Sequence, residues 1–292
     1  MMTQRKKACK LAPYLFLLPT LILFAVLLLY PILTVAGYSV FDNVITNKNP
    51  VFVGLQHFQI ILADQGFWLA LGNVTWFTVV SVIFHLGLGI VFALLLNTER
   101  INKYIKGFFR AALILPWTFT VTIVAILWRL MLNPSGVINY LLGTTGMDWF
   151  GTPATAMNAA IFVNIWCGYP FYMVSVLAGL QGISKDLYEA ARIDGATGIA
   201  SFRYITLPQL KPVLSSLLML DFIWTMQQFS LIYMTTGGGP ARVTDVLGTY
   251  TYRLAFSSMR FSRASASALI ILFICMLVCV FYVHKQTRSD ES

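Results

Sequence analysis

Long apolar stretches separated by short polar segments dominate the chain. Four of these stretches contain no Asp, Glu, Lys or Arg, and they cover residues 11–41, 67–98, 111–128 and 149–184. Each reaches the roughly 18–20 residues that an α-helix needs to cross about 30 Å of hydrocarbon. The stretches are apolar on every face, whereas the strands of a membrane barrel alternate between apolar and polar positions. The pattern predicts an all-α, polytopic membrane protein.

Six transmembrane helices are expected, near residues 12–36, 68–96, 111–132, 157–181, 213–235 and 264–284. Asn133-Pro134 ends the third helix and Asp221 interrupts the fifth. A basic start before an apolar run is also typical of a signal peptide. However, the first run is too long for one and no small-residue cleavage site ends it, so we expect an uncleaved first span.

These helices divide the chain into four parts. We expect a cytoplasmic N-terminal tail at 1–10 and a first helix with its outer loop at 11–66. A core domain follows at 67–284, and it includes a long cytoplasmic loop at 184–212. The remaining residues, 285–292, form a cytoplasmic tail.

Composition supports membrane insertion. Apolar residues make up 58% of the 292 residues and charged residues 11%, against about 25% charged in soluble domains. The net charge of +9 is explained by Lys and Arg that retain loops in the cytoplasm. No basic stripe alternates with aromatic residues, so no nucleic-acid partner is expected.

The distribution of basic residues predicts that both termini are cytoplasmic. With this orientation, 14 of the 20 basic residues lie inside. The six outside are Lys48, Arg129, Arg242, Arg253, Arg260 and Arg263. The last four fall in one outer loop and go against the assignment.

Polar chemistry within the spans is sparse. The three histidines, His57, His85 and His284, are scattered, so no catalytic constellation of a membrane enzyme is apparent. The cysteines lack the spacing of zinc ligands, and no metal site is expected. Asp221 has no obvious charged partner, which disfavours an ion-gradient carrier. It could serve coupling or substrate binding, or be a hydrogen-bonded structural acid, and His85 fits a packed donor between helices.

The loop between the fourth and fifth spans carries helix signals. Ser184 suits an N-cap, Asp186 a first turn and Gly195 a C-terminal stop. A short helix of about ten residues is therefore expected on the cytoplasmic face. An ordinary surface loop would also fit, but the loop is long for a connection in a helix bundle.

An ordered set of motifs resembles the binding-protein-dependent ABC transporter permeases. The signature loop of that family is matched by Glu189-Ala190-Ala191, Gly195 and Ile205-Thr206-Leu207-Pro208. The carbohydrate-uptake branch is matched by Leu18-Pro19, Tyr30-Pro31, Gly54-Leu55, Phe67-Trp68, Asn73, Phe109-Arg110, Leu115-Pro116-Trp117 and Thr236-Gly237-Gly238-Gly239-Pro240. The resemblance covers roughly residues 12–284.

This resemblance implies the fold of a type I importer permease in the bacterial inner membrane. The signature loop would dock on a cytoplasmic ATPase through Leu187, Tyr188, Glu189, Ala190, Ala191 and Gly195. The implied partners are a second, related permease, two ABC ATPases and an extracytoplasmic binding protein. The chain has no phosphate-binding loop, so we expect no cofactor in it and no enzymatic activity, with ATP and magnesium used by the ATPases.

Polar and aromatic residues in the fourth and fifth spans suggest a sugar site. Asn164, Gly168 and Phe171 share one helical face. The candidate positions, which resemble the sugar site of maltose-type permeases, are Asn164, Cys167, Gly168, Phe171, Gln227 and Gln228, with Trp224 added for its aromatic face.

This site differs from the family pattern in two ways, and a second interpretation exists. Phe171 stands where that relative has tyrosine, and the glutamines stand where it has asparagines. The sugar therefore remains open among mono-, di- and oligosaccharides, and a polyol phosphate or another non-carbohydrate solute is the alternative. The same residues could instead bridge helices, or the site could lie mainly in the partner permease.

Overall fold

The computed structural model describes residues 16–42, 44–45, 49–98, 101–144 and 146–290, with side chains as far as residue 284. The predicted N-terminal tail, residues 12–15 of the first predicted span, Lys48 and Arg100 lie outside the described residues. Two units make up the chain. Among the described residues, one unit comprises those from 16 to 65 and from 251 to 277, and the other comprises those from 66 to 250 and from 278 to 290.

The first unit begins with an apolar helix and a small segment of two strands and a short helix. Helix α1 is Phe16–Val40 and includes a π-helical turn. Strands β1 (Phe41–Asp42) and β2 (Val51–Phe52) form an antiparallel pair, and α2 is Gln56–Ala63. Buried His57 lies 3.5 Å from the carboxylate of Asp42, which ties α2 to the strand pair.

The second unit contains most of the helices. They are α3 (Gln65–Asn97), α4 (Lys103–Thr118), α5 (Val121–Met131), α6 (Val137–Leu142), α7 (Pro153–Gln181), α8 (Lys185–Ile193), α9 (Gly198–Ser201), α10 (Leu207–Met226) and α11 (Ser230–Thr235). The last two helices, α12 (Leu247–Tyr252) and α13 (Phe261–Asp290), each include residues of both units. The predicted all-α membrane fold is confirmed.

Four described helices are long and apolar enough to cross a membrane, namely α1, α3, α7 and α13 up to His284. The pair α4–α5 is a fifth if it counts as one span. The six predicted spans are compatible with this set. Helix α10, which contains Lys211 and Asp221, lies where the fifth span is predicted. It is not one of the helices named above.

Two predicted spans are not continuous helices. Residues 111–132 bend by 99° between α4 and α5, where Phe119 and Thr120 are extended. Pro116 contributes because it cannot donate a hydrogen bond in the last turns of α4. Residues 213–235 divide after Met226, and α11 begins at Ser230.

The core of the second unit lies between α3, α7 and α10. Its buried members are Ala93, Tyr172, Val176, Leu177, Leu180, Leu210, Leu214 and Leu217. Gly89 allows the close approach of α3 and α7, because a side chain there would overlap Tyr172. These contacts bring α3, α7 and α10 together at this part of the bundle.

The glycine-rich turn after α11 is held by a distant residue. Gly237 and Gly238 adopt positive φ angles of 64° and 91°, which glycine tolerates without steric penalty. The amide of Asn73, on α3, donates to the carbonyls of Arg242 at 3.1 Å and Asp245 at 2.9 Å. Asn73 therefore fixes the segment that follows the turn to α3.

Candidate substrate site and coupling loop

Helices α3 and α7 run parallel, and α10 runs antiparallel to both. His85 and Gly89 on α3 meet Gly168 and Tyr172 on α7 in the same order. In contrast, Tyr172 donates to the carbonyl of Leu217 at 3.3 Å, whereas the more N-terminal Asn164 meets Gln228. Substrate residues that the sequence predicts on separate spans, such as Asn164 and Gln228, thus lie at one level of the bundle.

A buried polar group, which we call the His85 cluster, joins the three helices at this level. Its members are His85, Asn164, Asp221, Thr225 and Gln228. The Nδ1 atom of His85 lies 2.8 Å from Oδ2 of Asp221, and its Nε2 lies 3.0 Å from the backbone carbonyl of Asn164. Thr225 donates to the other carboxylate oxygen at 3.1 Å. The prediction that Asp221 has no obvious partner is therefore wrong.

The side chain of Asn164 occupies the edge of this cluster. Asn164 is only 6% exposed, and its Oδ1 accepts from Nε2 of Gln228 at 3.4 Å. Its buried Nδ2 has no hydrogen-bond partner among the described residues. Because a buried donor without an acceptor is unfavourable, this amide is suited to a polar ligand group.

Gly168 has a packing role in the structure. A Cβ atom at this position would overlap the imidazole ring of His85. The absent side chain thus leaves room for the ring between α3 and α7. The predicted site residue Gly168 therefore lies against the His85 cluster, and the imidazole of His85 can occupy its place only because residue 168 has no side chain.

Aromatic rings adjoin the polar cluster. The rings of Phe171 and Trp224 have centroids 5.5 Å apart, and Trp117 lies 6.0 Å from Phe171. Trp224 is 54% exposed, so much of its surface is accessible in this chain. Trp117 on α4 was recognised only as part of a family motif, because sequence separation hides its proximity to Phe171.

Cys167 and Gln227 complete the set of predicted substrate residues. Cys167 is half-buried on α7, and Gln227 is exposed just after the end of α10. Direct contacts join Asn164 to Gln228 and Phe171 to Trp224, and Gly168 lies against His85. Within the described ranges, no cluster of three His, Cys, Asp or Glu side chains could hold a metal ion.

The helix that we predict in the loop at 184–212 is confirmed as α8 (Lys185–Ile193). The hydroxyl of Ser184 accepts from the Asp186 N–H at 3.3 Å. At the other end Gly195 has a φ of +78°, and Ala196 N–H donates to the carbonyl of Ala191 at 2.8 Å while Gly195 N–H donates to Arg192 at 3.1 Å. These bonds form a Schellman motif, which requires a left-handed residue after the helix.

The candidate docking residues lie on a helix with no buried residue. Glu189 and Ala190 are exposed, and Ala191 is half-buried. Leu187 is 44% exposed. Tyr188 is half-buried instead, and its hydroxyl bonds to Thr206 Oγ1 at 2.9 Å, so it connects α8 to the start of α10.

Two exposed isoleucines extend this surface and were not predicted. Ile193 is 87% exposed and Ile199 is 82% exposed. One lies at the end of α8 and the other in α9. Large apolar side chains this exposed favour an interface with another protein. Their apolar character within a polar loop was the available signal in the sequence.

Together, the fold and these two sites define a helical membrane transport subunit with a polar site in its spans and an exposed loop. The model of the family described as "Binding-protein-dependent transport system inner membrane component" matches residues 85–288. The chain belongs to this family, and it is a multi-pass inner-membrane permease of an ABC transporter.

Individual relatives extend the likeness over nearly the whole chain. It is 36% identical to the trehalose/maltose transport system permease protein MalF of Thermococcus litoralis, over 92% of this chain and 90% of that protein. It is 32% identical to the sulfoquinovosyl glycerol transport system permease protein SmoG of Agrobacterium fabrum, over 96% and 92%.

A solved structure has the same fold. The chain matches a subunit of a bacterial ABC transporter involved in the import of the acidic polysaccharide alginate, with a TM-score of 0.86 and 26% identity. The match covers 99% of each chain. The prediction of an ABC importer permease is confirmed.

Proposed function

We propose that this chain is a sugar-translocating permease subunit of an ATP-driven, binding-protein-dependent importer. The observation that carries the proposal is the buried Asn164 amide, which bonds to Gln228, together with the aromatic pair Phe171–Trp224 on α7 and α10. Hydroxyl groups need hydrogen-bond partners, and the apolar faces of sugar rings stack on aromatic side chains. The names of the relatives, which refer to trehalose, maltose and sulfoquinovosyl glycerol, agree with a carbohydrate.

The proposed complex contains a second, related permease, two cytoplasmic ABC ATPases and an extracytoplasmic binding protein. ATP and magnesium would act in the ATPases, and hydrolysis would not occur in this chain. Closure of the ATPases would move the docked α8, and the spans would then alternate between inward-open and outward-open states.

Charge supports an orientation with α8 and both termini in the cytoplasm. A cavity of about 900 Å³ is lined by the end of α3 at Asn97 and by Lys185, Tyr188 and Arg192 of α8. The end of α3 and the docking helix thus lie on one side of the unit. Lys103 and Lys106 begin the next helix, so basic residues gather there, as the positive-inside rule expects.

The test is uptake by proteoliposomes that contain the purified complex, its binding protein and internal ATP. The labelled panel comprises maltose, trehalose, sulfoquinovosyl glycerol, alginate oligosaccharides and glycerol phosphate. Uptake of a sugar only with both ATP and binding protein supports the proposal. Uptake of glycerol phosphate alone, or uptake driven by an ion gradient without ATP, would contradict it.

A further inference from the structure

His85 is buried and uses both of its ring nitrogens. It is 1% exposed, and its Nδ1 and Nε2 face a carboxylate oxygen and a backbone carbonyl oxygen respectively. A backbone carbonyl can only accept, so Nε2 carries a hydrogen. The short contact of 2.8 Å with Asp221 requires a second hydrogen between Nδ1 and Oδ2. The pair therefore holds two protons and is neutral overall, whichever of these two atoms carries the second.

Neutrality explains how an acid and a histidine coexist among apolar spans. An isolated charge within the membrane is strongly unfavourable, and such residues are expected to pair and to serve function. Thr225 satisfies the second oxygen of Asp221, so the carboxylate has partners on two helices. The Tyr172 ring lies beside the imidazole at 6.3 Å between centroids and closes the cluster from α7.

The two partners of His85 belong to the two halves of the candidate sugar site. The Nε2 bond holds the main chain of Asn164, whose side-chain amide meets Gln228. The Nδ1 bond holds Asp221, which is on the same helix as Trp224. Displacement of the imidazole would therefore change the distance between the amide of Asn164 and the aromatic ring of Trp224.

We propose that His85, neutralised by Asp221, is the positioning residue of the sugar site and sets the separation of α7 and α10 there. This inference rests on the proposed function, and His85 itself is not a sugar contact. It acts through the Asn164 main chain and through Asp221. The ratio of sugar imported to ATP hydrolysed depends on this separation, because the site must be intact for each closure of the ATPases to move a sugar.

The variants separate the two bonds. His85→Gln keeps a donor near the Nε2 position but leaves Asp221 without its partner. His85→Asn keeps a donor near Nδ1 and removes the imidazole donor to the Asn164 carbonyl. The double variant H85Q/D221N removes the acid together with the need to neutralise it. Ser81→Ala is the matched control, since this buried hydroxyl of α3 has no hydrogen-bond partner among the described residues.

The measurement is made on the reconstituted full complex with the panel sugar that the wild type imports. Uptake and binding-protein-stimulated ATP hydrolysis are recorded in the same vesicles. We expect His85→Gln and His85→Asn to reduce sugar imported per ATP about tenfold, the factor that ~1.4 kcal/mol represents. In H85Q/D221N we expect the ratio to recover to within about threefold of the wild type. We expect Ser81→Ala to match the wild type.

Each outcome has a defined meaning. A parallel fall of uptake, hydrolysis and amount of complex, without recovery in the double variant, would show that His85 only stabilises the fold. An unchanged ratio in both His85 variants would refute the positioning role while the proposed function stands. If the wild type imports no sugar at all, the proposed function fails and the inference falls with it.

Discussion

Gly168→Ala tests how tightly the His85 cluster is packed. The new methyl group would overlap the imidazole ring, and the ring has little freedom because both nitrogens are bonded. Either the ring rotates and both bonds break, or α3 and α7 separate. Overpacking of this kind destabilises proteins by about 1–3 kcal/mol.

The lost bonds add a smaller amount. Hydrogen bonds between membrane helices average about 0.6 kcal/mol each, since the unfolded chain in the membrane also finds partners. The steric term therefore exceeds the polar term, and the expected loss is about 2–4 kcal/mol. At about 2–4 °C per kcal/mol for a protein of this size, the apparent Tm should fall by roughly 4–16 °C.

The assay is thermal unfolding of the detergent-solubilised complex, followed by tryptophan fluorescence. Gly87→Ala is the control on α3, because a Cβ there meets no other atom, and it should leave the Tm unchanged or raise it slightly. In a His85→Ala background, Gly168→Ala should have little further effect. An equal drop in both backgrounds, or no drop with His85 present, would refute the packing argument.

Three further substitutions examine the loop and the substrate site. Gly195→Ala should lower ATP-driven uptake severalfold without loss of membrane assembly, because alanine at the left-handed φ of +78° is disfavoured by about 1–2 kcal/mol; Gly198→Ala, where φ is not positive, should transport normally. Ile193→Asp should weaken co-purification of the ATPase about tenfold or more, since burial of isoleucine contributes about 1.5–3 kcal/mol, and unchanged co-purification would remove Ile193 from the interface. Trp224→Ala should reduce sugar uptake while hydrolysis continues, and normal uptake kinetics would show that this ring does not contact sugar.

The coupling loop was predictable because its signals are local. Ser184 and Gly195 lie at the two ends of one short helix, and their roles depend on backbone groups a few residues away. The structure confirms both, with the cap bond at Ser184 and the positive φ at Gly195. Capping and steric preferences of this kind act within a single turn of chain.

Continuity of the helices was harder to predict. Residues 111–132 are apolar throughout, and hydropathy does not distinguish a straight span from one bent by 99°. The bend depends on two extended residues, Phe119 and Thr120, and on what packs around them. Apolar character determines that the segment enters the membrane, and it does not determine its path.

The order of apolar and polar residues is enough to predict that this chain spans a membrane, that its spans are helical and that one loop resembles a docking element. Those properties follow from the length, polarity and caps of contiguous segments. The pairing of Asp221 could not be predicted in this way, since His85 lies 136 residues away. The same is true of Gly168, which makes room for the imidazole of a residue on another helix. Burial forces such polar groups to find partners, but which partner each one meets is settled by the packing of α3, α7 and α10.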